Sequence, residues 1–143
     1  ILSYYDYDKI FPVYGFGAYF PGCNNAVSHC FNLNLTDDPN IYGLENIIKT
    51  YKETVYQLKF SGPTYFCPLI KNCINMVEFN KSQSSEEVYY ILMILTDGQI
   101  TDMAQTCDAI IQAAFLPISI IIIGIGIHIV ICIGILFYFI IKP

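Results

Sequence analysis

The side chains in this chain that could carry chemistry are few, and oxygen donors lead them. Asp97 follows the apolar run VYYILMIL and Thr96, and Gly98 comes directly after it. A carboxylate at the carboxyl end of a buried strand, beside a glycine that permits a sharp turn, can serve magnesium or manganese, which prefer oxygen ligands. Thr64 stands just after Gly62-Pro63 at the expected start of a helix, where its hydroxyl can face the same crevice. Taken alone, an Asp in such a place more often serves a turn or a helix cap. His29 sits in a strand-like segment without ligand candidates nearby and reads as an ordinary, partly exposed histidine. His128 interrupts an apolar run with no carboxylate or cysteine close in sequence. Neither histidine has the setting of a general base. No Ser/His/Asp or Cys/His triad can be argued from spacing. Gly124-x-Gly126 lacks the third glycine and the helix of a dinucleotide site and is assigned to sheet packing. The expectation is a non-enzymatic chain.

Cysteine and charge narrow the classes further. The six cysteines (Cys23, Cys30, Cys67, Cys73, Cys107 and Cys132) are scattered, with no C-x-x-C pair and no Cys/His array at zinc spacing. Cys67 and Cys73 fall in an apolar helical pattern, where a free thiol behaves as a small hydrophobe. Reduced, cytosolic thiols are expected. Charged residues make up 13% of the 143, against about 25% in an average soluble domain. Either much of the chain is buried in a central sheet or part of it meets lipid. A net charge of −5 with no basic run argues against a nucleic-acid partner, whose phosphates need Lys and Arg. No signal peptide is visible, and without an initiator Met the true start is expected upstream.

The elements that must position Thr64 and Asp97 are those of an α/β domain. Residues 11–18 (FPVYGFGA) read as a strand opened by Pro12, and residues 27–33 as a second strand before the turn-prone run 34–40. Leu44, Ile47, Ile48, Tyr51, Val55 and Leu58 recur at three- and four-residue steps, which predicts a helix. After Ser61-Gly62-Pro63 a second helix carries Leu69, Ile70, Cys73, Ile74 and Val77 on one side, and residues 80–87 read as a polar linker. Residues 88–95 are a continuous β-prone run, as expected of a strand covered on both faces. Asp102 then caps a third helix running to about Ala114, with Gln105 in capping-box register. Pro117 stops that helix, and residues 118–126 (ISIIIIGIG) form the next strand. Strands alternating with helices imply a mostly parallel sheet, with ligands bound beyond the carboxyl ends of its strands.

Five segments carry a family resemblance: residues 11–18, Val27-Ser28-His29, residues 62–66 (GPTYF), 95–106 (LTDGQITDMAQT) and 116–126 (LPISIIIIGIG). In order and separation they resemble the copine family over about residues 5–126, and TDMAQT followed by a helix and LP-x-SIII is the most specific part. Plant RING-type ubiquitin ligases share a related domain with GPT and DGQ-T elements, but TDMAQT looks more like the copines themselves. The resemblance implies a von Willebrand factor A fold, a Rossmann-like sheet with flanking helices, and a metal-ion-dependent adhesion site. It implies that a D-x-[ST]-x-S motif, a Thr matching Thr64 and an Asp matching Asp97 hold magnesium or manganese there. The D-x-[ST]-x-S motif has no counterpart in these residues. By the same resemblance the first strand is missing, and its loss is expected to leave two half-sheets with unpaired edges and an aggregation-prone fragment. A partner protein offering a carboxylate would complete the coordination. Calcium-dependent phospholipid-binding modules are expected outside this chain, placing the protein at the cytosolic face of membranes.

Residues 1–126 are thus expected to form a partial domain of this type, and residues 127–143 a hydrophobic tail with no match in the family. From Ile118 to Ile141 there is no charged residue, long enough for a membrane helix, and Lys142 follows as a flanking anchor would. A membrane anchor, an extra buried strand and an incorrectly assigned gene end are the three readings of the tail. Its Ile, Phe, Tyr and Lys content suits the last. The functional alternatives are the copine-like domain of a RING-type ligase and a single-span membrane protein anchored by residues 118–141.

Overall fold

The computed structural model of the chain describes residues 8–23, 25–84, 87–96, 99–124 and 133–140. Eleven elements follow in order: β1 (Ile10–Gly15), β2 (Ala18–Tyr19), β3 (Phe31–Asn32), β4 (Asn40–Tyr42), α1 (Leu44–Val55), β5 (Lys59–Phe60), α2 (Cys67–Gln83), β6 (Val88–Thr96), α3 (Met103–Ala113), β7 (Ile118–Gly124) and β8 (Ile133–Ile140). The α/β class is as expected, and the six-stranded sheet runs β3-β1-β8-β6-β7, with β4 also paired to β1.

That sheet is mixed, which corrects the expectation of a mostly parallel one. Only β6 and β7 pair in parallel, from Tyr90↔Ile118 to Thr96↔Gly124, with α3 as the crossover. The pairs of β1 with β3, β4 and β8, and of β6 with β8, are antiparallel. The reason is the tail. Its strand β8 enters between β1 and β6, with eight residues in register on β6 and three on β1. A gap between two half-sheets was expected at this place; the backbone of β8 fills it. Ile118–Ile141 is therefore not one continuous helix, and no helix among the described residues is long and apolar enough to cross a membrane.

Helices cover both faces. On one face α2 and α3 pack Leu69, Ile70, Cys73, Ile74, Val77, Ala109 and Ala113 against Tyr14 and Phe16 near β1 and against Tyr90, Leu92 and Ile94 of β6. On the other, Ile47 of α1 joins Phe11, Val13, Leu33 and Ile41, with Ile91, Met93 and Leu95 of β6 half-buried against them. Alternate residues of β6 thus serve the two cores, which is why its sequence is apolar throughout. The apolar face predicted for the second helix is the buried face of α2. That helix also runs on through Asn80 to Gln83, where a polar linker was expected. In its last turn the Ser84 amide donates to the Asn80 carbonyl at 3.1 Å, and Asn80 Nδ2 donates to the Tyr90 hydroxyl at 3.1 Å. The first helix ends at Val55, short of Leu58, and its predicted apolar residue Ile48 is 57% exposed. The buried Thr54 instead donates its hydroxyl to the Leu33 carbonyl at 2.9 Å.

Two backbone features bring the chain to the sheet's carboxyl end. Gly15 lies so close under the Phe31 ring that any Cβ there would overlap it. Gly17, with φ at 71°, then turns the chain out of the main sheet, splitting the single strand expected over residues 11–18 into β1 and β2. The second expected strand shrinks to β3, while Ser28 bridges Ala18.

Candidate functional site

Thr64 is placed by a short route from the small sheet β2–β5. After Lys59 and Phe60 pair with Tyr19 and Ala18, the Ser61 amide donates to the Gly17 carbonyl at 2.9 Å, and the cis Gly62–Pro63 bond leads into Thr64. Thr64 forms a parallel bridge with Ile100, and the Thr101 amide donates to the Thr64 carbonyl at 2.9 Å. Two residues on, Phe66 is fully buried and meets Phe16 edge to face, with ring centroids 5.6 Å apart at 86°. The GPTYF segment is thus held against residues 100–101, which follow β6 in the chain. The Thr64 side chain is half-buried, and its hydroxyl has no hydrogen bond to another described residue. Asp97 lies outside the described residues, as do His128, Cys132 and Lys142. Its neighbour Thr96 is buried at the carboxyl end of β6, paired with Gly124.

Asp102 departs from its expected role. It stands at the N-cap position of α3, and its backbone carbonyl accepts from the Thr106 amide at 2.8 Å, but its side chain makes no cap to its own helix. The carboxylate reaches instead to the start of α2. Oδ1 accepts from the Phe66 amide at 3.0 Å and Oδ2 from the Cys67 amide at 2.9 Å. The Thr106 hydroxyl donates to Oδ1 at 3.0 Å. Negative charge at the positive end of a helix is favourable, and these amides have no partner within α2 itself. Gln105, placed in capping-box register by the sequence, is exposed. A trace of this arrangement is legible beforehand: Asp102, Thr106, Ala109 and Ala113 share one helical face, and a polar pair on a face of small residues implies a partner.

His29 is also less ordinary than its surroundings in sequence suggest. Its ring stacks on Tyr65, centroids 4.3 Å apart at 31°. Its buried Nδ1 has no hydrogen-bond partner among the described residues. Burial lowers the pKa of the imidazole, and the Asp102 carboxylate works in the opposite direction.

The donor set suits a hard divalent ion in kind and falls short in number. Thr64 offers one neutral oxygen and Asp97, by its chemistry, a carboxylate, whereas magnesium takes six well-placed oxygens. Among the described residues no group of three or more His, Cys, Asp or Glu side chains could hold a metal. The described cysteines are free thiols, with Cys67 and Cys73 buried and Cys107 exposed.

A family model described as copine matches residues 1–128. The chain is 41% identical over 127 residues to Protein BONZAI 2 of Arabidopsis thaliana, and 40% identical over the same length to Protein BONZAI 1. It is 41% identical over 127 residues to Copine-A of Dictyostelium discoideum. Each alignment covers 88% of this chain but only 21–22% of the relative, so the chain spans about a fifth of the length of these proteins.

Proposed function

The chain belongs to the copine family, and from that premise we propose that it is part of a von Willebrand factor A-type module. In this reading it is a non-catalytic module that binds partner proteins through a divalent ion. Thr64 and Asp97, with residues of the longer protein, would hold magnesium or manganese. The ion supplies an electrophilic centre that accepts a carboxylate oxygen from the partner. What this chain's residues do is hold Thr64 at the carboxyl end of the sheet and leave its hydroxyl unclaimed by the described residues. The observation that carries the reading is the junction of Thr64 with Ile100 and Thr101, because it brings the GPTYF segment to the residues just past the end of β6.

Calcium-dependent phospholipid binding belongs, in the same proposal, to modules outside these residues and places the protein at the cytosolic face of membranes. The domain itself need not touch lipid. The test is partner recovery by the protein in magnesium and in chelator, with Thr64→Ala alongside. Recovery that falls in chelator and in the variant supports metal-dependent recognition. Equal recovery in all three removes it.

A further inference from the structure

Strand β7 forms one edge of the main sheet, paired along one side with β6 and along the other with no described residue. Natural sheets guard such an edge with charged residues, proline, a bulge or shortness, because its unpaired N–H and C=O groups accept any strand that reaches them. β7 has none of these guards. It runs seven residues as ISIIIIG, pairs with β6 in unbroken register from Ile118 to Gly124, and holds no charge and no proline. Its second half is open to solvent on both faces of the pleat. Ile121 and Ile123 on one face are 41% and 40% exposed, and Ile122 on the other is 45% exposed. The opposite edge of the sheet is guarded. It consists of β3 and β4, two and three residues long, with Asn32 and Asn40 in them and Asp37 and Asp38 exposed in the turn between.

We propose that the β7 edge is a self-association surface, on which β7 of a second copy of this chain pairs antiparallel about a two-fold axis. Full overlap of the two strands sets the register. Ile121 meets Ile121 on the axis, with Ile120 opposite Ile122, Ser119 opposite Ile123 and Ile118 opposite Gly124. β-branched residues directly opposite each other are favourable cross-strand pairs. The lengths of the two edges select this occupant. Pairing β7 head to tail with the far edge of another copy would engage two or three residues instead of seven. Self-pairing uses the longest run and closes at two copies, whereas head-to-tail contact builds an open chain. Charge agrees: each copy carries a net −5, yet no charged residue lies between Ile118 and Ile141, so no like charges meet along the paired strands. A seam of two strands is smaller than a standard interface, so the association is weak and reversible. Neither Thr64 nor a metal ion takes part.

The experiment is sedimentation velocity of the chain over a wide range of concentrations, in magnesium and in chelator, for the wild type, Ile121→Lys and Ile122→Lys. Folding of each is checked by circular dichroism. The wild type is expected to pass reversibly from one copy to two as concentration rises, equally in magnesium and in chelator. Each lysine is expected to abolish the dimer. At position 121 it meets its own counterpart across the axis, and at 122 it sets a charge in the seam. Both positions are exposed in the single chain; should Ile121→Lys fail to fold, Ile122→Lys decides. Ile121→Cys and Ile123→Cys, oxidised mildly, test the register, the native cysteines being common to both. A disulfide-linked dimer is expected from Ile121→Cys and far less from Ile123→Cys, whose two copies stand too far apart to bridge. A wild type that stays a single copy at every concentration overturns the proposal and leaves the edge to a strand from outside these residues. Species that grow past two copies overturn the closed pairing. A dimer that survives a folded lysine variant, or that Ile123→Cys crosslinks as readily as Ile121→Cys, places the interface elsewhere and overturns it as well.

Discussion

Replacing Phe66 by alanine tests whether the junction at Thr64 is anchored by the core beneath it. The ring is fully buried among residues of α2, β6 and α3, and it meets Phe16 edge to face at 5.6 Å. Emptying such a site costs about 3–5 kcal/mol, combining lost transfer energy with the cavity left behind. About 0.5–1.5 kcal/mol of that belongs to the aromatic pair itself. A domain of ordinary stability has about 5–15 kcal/mol in total, so the variant should still fold but with a large fraction of its margin gone. With a urea m-value of about 2 kcal/mol/M, the midpoint should fall by about 2 M. The chain contains no tryptophan, so the transition is followed by far-ultraviolet circular dichroism. Phe16→Ala and the double variant complete the cycle, and a coupling of about 0.5–1.5 kcal/mol is expected between the rings. A midpoint shift corresponding to less than about 1 kcal/mol for Phe66→Ala would refute the packing argument, since no fully buried phenylalanine in a close-packed core is that dispensable. Additive single variants would refute the ring pair alone.

Two further outcomes follow from the core. Burial pushes the Cys30 thiol up to about 11 and the Cys73 thiol up to about 12, and raises the Tyr14 phenol against a lowering hydrogen bond from Asn72. These groups stay protonated in the folded chain at a pH where they ionise in the unfolded chain. Stability should therefore be level below the usual thiol pKa of about 8.5 and fall as pH rises from there toward 12. Urea midpoints at pH 7.5 and 10 check the sign, and a higher midpoint at pH 10 would contradict it. In the same samples an alkylating reagent should modify exposed Cys107 well before Cys30 and Cys73. Gly15→Ala should cost about 1–3 kcal/mol by driving a methyl group into the Phe31 ring, and Phe31→Leu should restore part of the loss. An unchanged melting temperature for Gly15→Ala would show that the ring moves aside freely.

The parts of the fold that were legible in advance are those governed by local periodicity. Leu69, Ile70, Cys73, Ile74 and Val77 fall on one side of a helix whatever the helix packs against, and all five are buried in α2. The run 88–95, continuous and β-prone, reads as a strand with two covered faces, and β6 serves two cores. The TDMAQT and GPTYF segments pointed to the family that the comparisons establish. Errors gathered where a residue's role depends on a distant neighbour. Residues 80–83 read as a linker because they lack an apolar period, yet the Ser84 amide closes the last turn onto the Asn80 carbonyl, and Asn80 also bonds the Tyr90 hydroxyl on the face of the sheet that α2 covers. The tail's apolar run was compatible with a membrane helix or a strand, because an unbroken row of Ile, Phe and Leu fits both.

What the sequence by itself determined is therefore the family, the α/β class and the buried sides of α2 and β6. The tertiary structure decided the pairing. It put β8 antiparallel between β1 and β6, and it turned the Asp102 carboxylate away from its own helix toward the start of another. The reason is the same in both cases. A strand edge and a carboxylate each have hydrogen-bonding capacity that any suitable partner can fill, and only the packed chain determines which partner is within reach.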